Sequence, residues 1–195
     1  MTAPFQTSGP SMKTMSLALA ATLLAAPALA QQVVPAQSEI SFVSKQMGVP
    51  VEGKFKQWTA QIAFDPKKAE AGKVGFTIQT GSASFGAAET DAEVPKAAWF
   101  NVPKFPQASF ASSAIKALGG GKFEVRGKLA IKGATQDVVV PVTVTQAGAN
   151  STATGSFVIK RLDFKIGEGE WADTSMVADD VQVKFKLALT GIGKL

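Results

Sequence analysis

Apolar and polar residues alternate along most of the chain after Ser38. The clearest stretch runs from Lys122 to Lys132. Phe123, Val125, Leu129 and Ile131, with Gly127 among them, fall on one face, and Lys122, Glu124, Arg126, Lys128 and Lys132 fall on the other. Successive side chains of a strand point to opposite faces, so this is the signature of a half-buried β-strand. Val181, Val183, Phe185, Leu187 and Leu189 repeat it against Gln182, Lys184, Lys186 and Thr190. Shorter versions carry Ile40 and Phe42, then Val74, Phe76 and Ile78, then Ala108 and Phe110, then Phe157 and Ile159. Val138 to Val144 is valine-rich in both phases, which predicts a strand covered on both sides. From Val51 to Phe64 the apolar phase slips between Phe55 and Trp58, which predicts a bulge or bend.

Turn chemistry separates these segments: Asp65-Pro66, Gly119-Gly120-Gly121, Gly133-Ala134-Thr135, Gly148-Ala149-Asn150 and Gly167-Glu168-Gly169. Together they predict about eight antiparallel strands, closed as an up-and-down barrel or stacked as a sandwich. One short helical segment interrupts them at Thr90 to Phe100, where Thr90-x-x-Glu93 fits a capping box. Lys67 to Ala71 has room for a single helical turn. A soluble barrel turns its apolar face inward, whereas an outer-membrane barrel turns that face to lipid. The absence of Tyr, the presence of only Trp58, Trp99 and Trp171, and the dense Lys/Glu alternation favour the inward arrangement.

The first thirty residues read differently. Lys13 precedes the apolar run Met15 to Ala26, Pro27 follows, and Ala28-Leu29-Ala30 supplies a small-x-small site. This is the pattern of a secretory signal peptide, with cleavage expected after Ala30. Residues 1–11 look like a mis-assigned start, because Met12-Lys13-Thr14 is the more natural beginning. Removing thirty of the 195 residues leaves a single 165-residue β-barrel domain over 31–195 and lowers the formal charge from +5 to +4. A periplasmic location is expected.

Composition then narrows the chemistry. With no Cys and no His, disulfides, thiol nucleophiles, Ser-His catalysis and imidazole metal sites are excluded. Ser113-x-x-Lys116 fits a Ser-Lys hydrolase motif, but on a strand positions three apart face opposite sides. Asp91 with Glu93, and Asp179 with Asp180, are close in sequence but imply no cleft between carboxylates. Asp179-Asp180 also lacks the spaced oxygens of a calcium loop. The basic charge is mostly lysine spread along strands, which is not a nucleic-acid footprint. No enzymatic activity, cofactor or metal is expected.

Several segments resemble the YceI-like family. They are Gly53-Lys54-Phe55 with Ile62-Ala63-Phe64-Asp65-Pro66, then Trp99-Phe100-Asn101-Val102 with Phe105-Pro106 and Phe110. Val125-Arg126-Gly127-Lys128-Leu129-Ala130-Ile131-Lys132-Gly133 follows, then Gly155-Ser156-Phe157 with Arg161-x-Asp163-Phe164, and finally Asp179-Asp180-Val181-Gln182-Val183. The resemblance covers Ser38 to Thr190. It implies an all-β, lipocalin-like antiparallel barrel that holds a long isoprenoid lipid in an apolar interior. The chain departs from the family at Lys45-Gln46 and at Ala92-Glu93-Val94, where many members carry His, so roles of those His residues do not transfer.

On that reading the ligand-binding candidates are the inward aromatic and aliphatic residues Phe42, Phe55, Ile62, Phe76, Ile78, Phe110, Phe123, Val125, Phe157 and Phe185. The same side chains would serve a filled core, and a filled barrel that binds partners or serves in periplasmic stress is the alternative function. Arg161 is the candidate contact for a phosphorylated head group, against an ion pair with Asp163. The short helix is a candidate lid, with Trp99 and Phe100 either plugging the interior or packing the helix down. The expected partner is an isoprenoid or other long apolar lipid, with transient contact to a membrane surface. Sequence leaves the oligomeric state open, a homodimer included.

Overall fold

The strands form wherever the alternation runs. In the computed structural model, which describes residues 31–195, they are β1 (Gln32–Val33), β2 (Glu39–Gln46), β3 (Val49–Phe55), β4 (Trp58–Ala63), β5 (Lys73–Gln79) and β6 (Ala83–Ser84). Then follow α1 (Ala88–Glu93), β7 (Gln107–Gly119), β8 (Lys122–Ile131), β9 (Ala134–Ala147), β10 (Asn150–Lys160) and β11 (Asp180–Thr190). The signal peptide expected over 1–30 lies outside the described residues. Among the described residues no helix is long and apolar enough to cross a membrane.

All pairings are antiparallel, in the order β4-β5-β7-β8-β9-β10-β11-β2-β3-β6, with β1 on β11. Among the described residues eleven strands stand where about eight were expected. The surplus is small in substance: β1 and β6 are two residues each. Moreover, β3 and β4 are halves of one strand bent at Lys56-Gln57, where the apolar phase slips. Lys56 N–H donates to Ser82 O (3.1 Å) and Gln79 N–H to Gln57 O (3.0 Å), which carries the pairing across the bend. β2 therefore pairs with the first half of that strand and β5 with the second, and the sheet curls closed. A polar latch helps at the seam: the Gln31 amide spans both backbone groups of Phe64, accepting from its N–H at 2.6 Å and donating to its carbonyl.

The apolar face points inward. Phe123, Val125, Leu129 and Ile131 are buried, while Lys122, Arg126 and Lys128 are exposed. Two expectations need correction. β9 is covered on one side only, since Val140 is buried and Val139 is 49% exposed. Lys132, assigned by parity to the outer face, is buried, because Lys132 and Gly133 both take positive φ (48° and 79°) and that turn swings the side chain over the end of the barrel.

Candidate functional site

The barrel is hollow. A cavity of about 600 Å³ runs its length, from Val144 and Leu189 at one end to Met47, Glu89 and Met176 at the other. This lies within the range of roughly 300–1,000 Å³ usual for small-molecule sites. Phe42, Phe55, Ile62, Phe76, Ile78, Phe110, Phe123, Val125, Phe157 and Phe185 all line it. Inward parity brings these residues together from eight strands, β2 to β5, β7, β8, β10 and β11. The aromatic rings are in mutual contact: Phe42 meets Phe55 and Phe85 at 5.2 Å between centroids, and Trp58 meets Phe76 at 6.4 Å.

The end of the barrel at Val144 and Leu189 is closed. Asp65 accepts from Lys67 N–H (2.9 Å) and starts a 3-10 segment, Pro66–Ala71. Its Ala69 packs with Ile115, and Phe64 packs edge-on to Phe123 at 5.0 Å. The opposite end is covered by two segments, α1 with the turns that follow it to Phe105, and the 3-10 turns between Arg161 and Val177. Trp99 and Trp171 meet at 5.5 Å and join them. The indole N–H of Trp99 is buried with no acceptor among the described residues.

Two buried cations fasten this cover. Arg161 spends all five N–H donors on backbone carbonyls, those of Ala178, Ile166, Gly167, Trp171 and Val177, at 2.7–3.1 Å. Burial pushes its guanidinium below the ordinary value, and the charge of Asp179 opposes that. No donor is left for a phosphate, and Arg161 makes no ion pair with Asp163 in this structure. The geometry makes it a clamp rather than a head-group contact. Lys132 Nζ donates to Ala97 O (2.8 Å) and Lys165 O (2.6 Å) and pairs with Glu168 (2.9 Å), tying the two covering segments to the β8–β9 turn.

The helix also differs from its sequence reading. It spans Ala88–Glu93, and Asp91, not Thr90, anchors it, accepting from Phe85 N–H (2.6 Å) and Ser84 Oγ (2.8 Å). Those two bonds hold its carboxyl below the usual carboxylate value. Residues 94–105 continue as turns rather than helix. The polar side chains that line the cavity, Ser44, Gln46, Glu89, Thr90, Glu93 and Arg161, all sit at this covered end. The lumen is thus amphiphilic along its axis, with a polar mouth and an apolar barrel below. Sequence reasoning missed Met47, Trp171 and Met176 at the mouth. Met47-Gly48 between two alternating segments was the available signal, that of a hairpin turn.

The family model of the YceI-like domain matches residues 31–189. The chain belongs to the YceI-like family. A family relative called UPF0312 protein, from Pseudomonas savastanoi pv. phaseolicola, is 30% identical over 155 residues, 71% of this chain and 81% of its own. Among solved structures, Burkholderia cenocepacia BcnA superposes with a TM-score of 0.78 at 50% identity, covering 80% of this chain and 99% of its own. A domain from Saccharophagus degradans, described as polyisoprenoid binding and implicated in plant cell wall breakdown, superposes with a TM-score of 0.67. It covers 83% of this chain and 98% of its own, and at 16% identity it shows shared fold alone.

Proposed function

We propose that this protein is exported to the periplasm, is cleaved after Ala30, and holds an isoprenoid-type lipid in its lumen without catalysing a reaction. The observation that carries the reading is the hollow, axially amphiphilic barrel. A filled barrel would serve the alternative role, whereas here about 600 Å³ is open and lined almost wholly by aliphatic and aromatic groups. An isoprenoid offers apolar surface and few polar groups, so burying each carbon yields ~0.8 kcal/mol gross. Chain ordering reduces this toward ~0.3 kcal/mol per atom. The tail would lie among Phe76, Phe110, Phe123 and Phe185, and the head group at the polar mouth. The polyisoprenoid binding ascribed to the S. degradans domain is a statement about that protein, and the shared fold makes the same ligand class reasonable here.

The test is native mass spectrometry of protein released by osmotic shock without detergent, followed by solvent extraction of the adduct. A mass starting at Gln31 that carries an extractable isoprenoid is expected. A bare mass that takes up no added farnesol would overturn the lipid assignment. A mass retaining residues before Gln31 would overturn cleavage at Ala30.

A further inference from the structure

We propose that the lip formed by Met47, Val49 and Met176 docks on a lipid bilayer and that the lumen loads through it. This rests on the lipid-binding reading and adds the place and manner of exchange. These three residues are 76%, 63% and 47% exposed. They lie together, because Met47 N–H donates to Met176 O (2.8 Å) and Gln46 bridges Val177. Val49 continues the inward parity of Val51, Gly53 and Phe55 beyond the end of the barrel. Met47 and Met176 also line the cavity, beside Ser44, Gln46 and Glu89, so apolar side chains reach from lumen to outside along one side of an otherwise polar mouth. The other exposed apolar side chains, such as Leu118, Val139 and Val158, stand apart on β7, β9 and β10, as scattered surface residues normally do.

The backbone at the tip strengthens the case. Met47 and Gly48 have φ of 47° and 80°, the turn in which both central residues are left-handed. Asn or Gly takes the first position without strain, and Met does not. A strained residue is kept where its side chain has work to do. Methionine suits a surface that must fit shifting acyl chains, being flexible and polarisable. The occupant follows from the ligand: an isoprenoid is too apolar to travel free in water, so it must be exchanged at a lipid surface. An apolar lip on one side of the mouth shortens the stretch of chain that meets water on the way.

The test uses protein beginning at Gln31, since residues 31–195 contain the whole barrel and its core, and the apolar leader would otherwise bind vesicles itself. It compares wild type with Val49→Ser, since Val49 is exposed and, unlike Met47 and Met176, does not line the cavity. Vesicles of phosphatidylethanolamine and phosphatidylglycerol carry a dansyl-labelled polyprenol. Wild type is expected to co-float with the vesicles and to take up the probe at a rate that rises with vesicle concentration. The variant should lose about tenfold in both, while its thermal midpoint and its affinity for farnesol added from ethanol stay unchanged. Equal flotation and uptake by the two proteins would overturn the proposal. So would a wild-type dimer that the variant dissolves, with no flotation, which would make the lip an interface between two copies. Flotation without any farnesol or polyprenol binding would keep the docking surface and sink the lipid-carrier reading instead.

Discussion

Three inward glycines support three of the lumen's aromatic rings. Gly53 pairs with Phe42, Gly155 with Phe185, and Gly127 lies beneath the ring of Phe110. A Cβ at any of the three would overlap the ring that covers it, so each glycine lets a phenylalanine lie along the wall instead of standing into the lumen. At Gly127 and Gly155 the added carbon also meets a backbone carbonyl, that of Ala111 or Pro141, while at Gly53 the three nearest atoms all belong to the Phe42 ring. Alanine at Gly127 or Gly155 is therefore expected to cost about 1–3 kcal/mol. Alanine at Gly53 should cost less, because Phe42 can turn into open space. Urea midpoints rank the three, and equal losses would show that Phe42 has nowhere to go. The phenylalanines were legible from parity, but their glycine partners were not, because a residue without a side chain declares no face. Arg161 was legible as important and misread in role. Its motif cannot reveal that five carbonyls converge on it from residues 166–178. Arg161→Met should lower stability by at least ~3 kcal/mol, since it strands those carbonyls, and Arg161→Lys should rescue little of it, lacking the planar fork. If Arg161→Lys instead keeps the unfolding midpoint and loses only polyprenyl phosphate relative to polyprenol, the clamp assignment is wrong.

Elements that pair locally were readable, and elements joined by distant clamps were not. The bend between β3 and β4 shows in the sequence as a slip of phase, because each half must still turn its apolar side inward. The seam beside it depends on Gln31 reaching the backbone of Phe64, and no periodicity records that contact. The cover over the mouth is similar. Its helix starts at Ala88 because Asp91 reaches back to Phe85 and Ser84, a tertiary anchor that overrides the capping box read at Thr90. The anchor should respond to acid in a definite direction. The folded-state value of Asp91 lies below its ordinary value, so its contribution is fully present above about pH 4 and fades as pH falls through the lowered value. In wild type, exchange protection of the Phe85 amide should fall below that range. Asp91→Asn should show weaker protection at neutral pH and little further loss in acid. An acid-induced loss of the same size in Asp91→Asn would place the titrating group elsewhere on the cover.

A barrel of this size has two stable fillings, side chains or a guest, and the strand pattern is the same for both. That is why alternation could place the ten candidate residues on one face without deciding between core and cavity. The decision lies in how far the rings lie along the wall, and so in the glycines, the bend and the clamped cover acting together. An overpacking substitution can separate the two cases. Val140 is buried, lines the lumen and faces Val125 across β8 and β9. In a filled core, Val140→Phe would force neighbours off their rotamers and cost about 1–3 kcal/mol. In an open lumen the added ring enters void and gains contacts, so the unfolding midpoint should hold or rise slightly. The ring would also take up guest volume, so Val140→Phe should carry less extractable isoprenoid per chain than wild type, measured by native mass spectrometry on the same preparation. A lower midpoint with unchanged lipid load would mean that this part of the barrel is core and that the guest sits nearer the mouth. A preserved midpoint with reduced load would fix Val140 and Val125 as walls of the binding space, deep enough that the apolar tail, and not the head group, is what they meet.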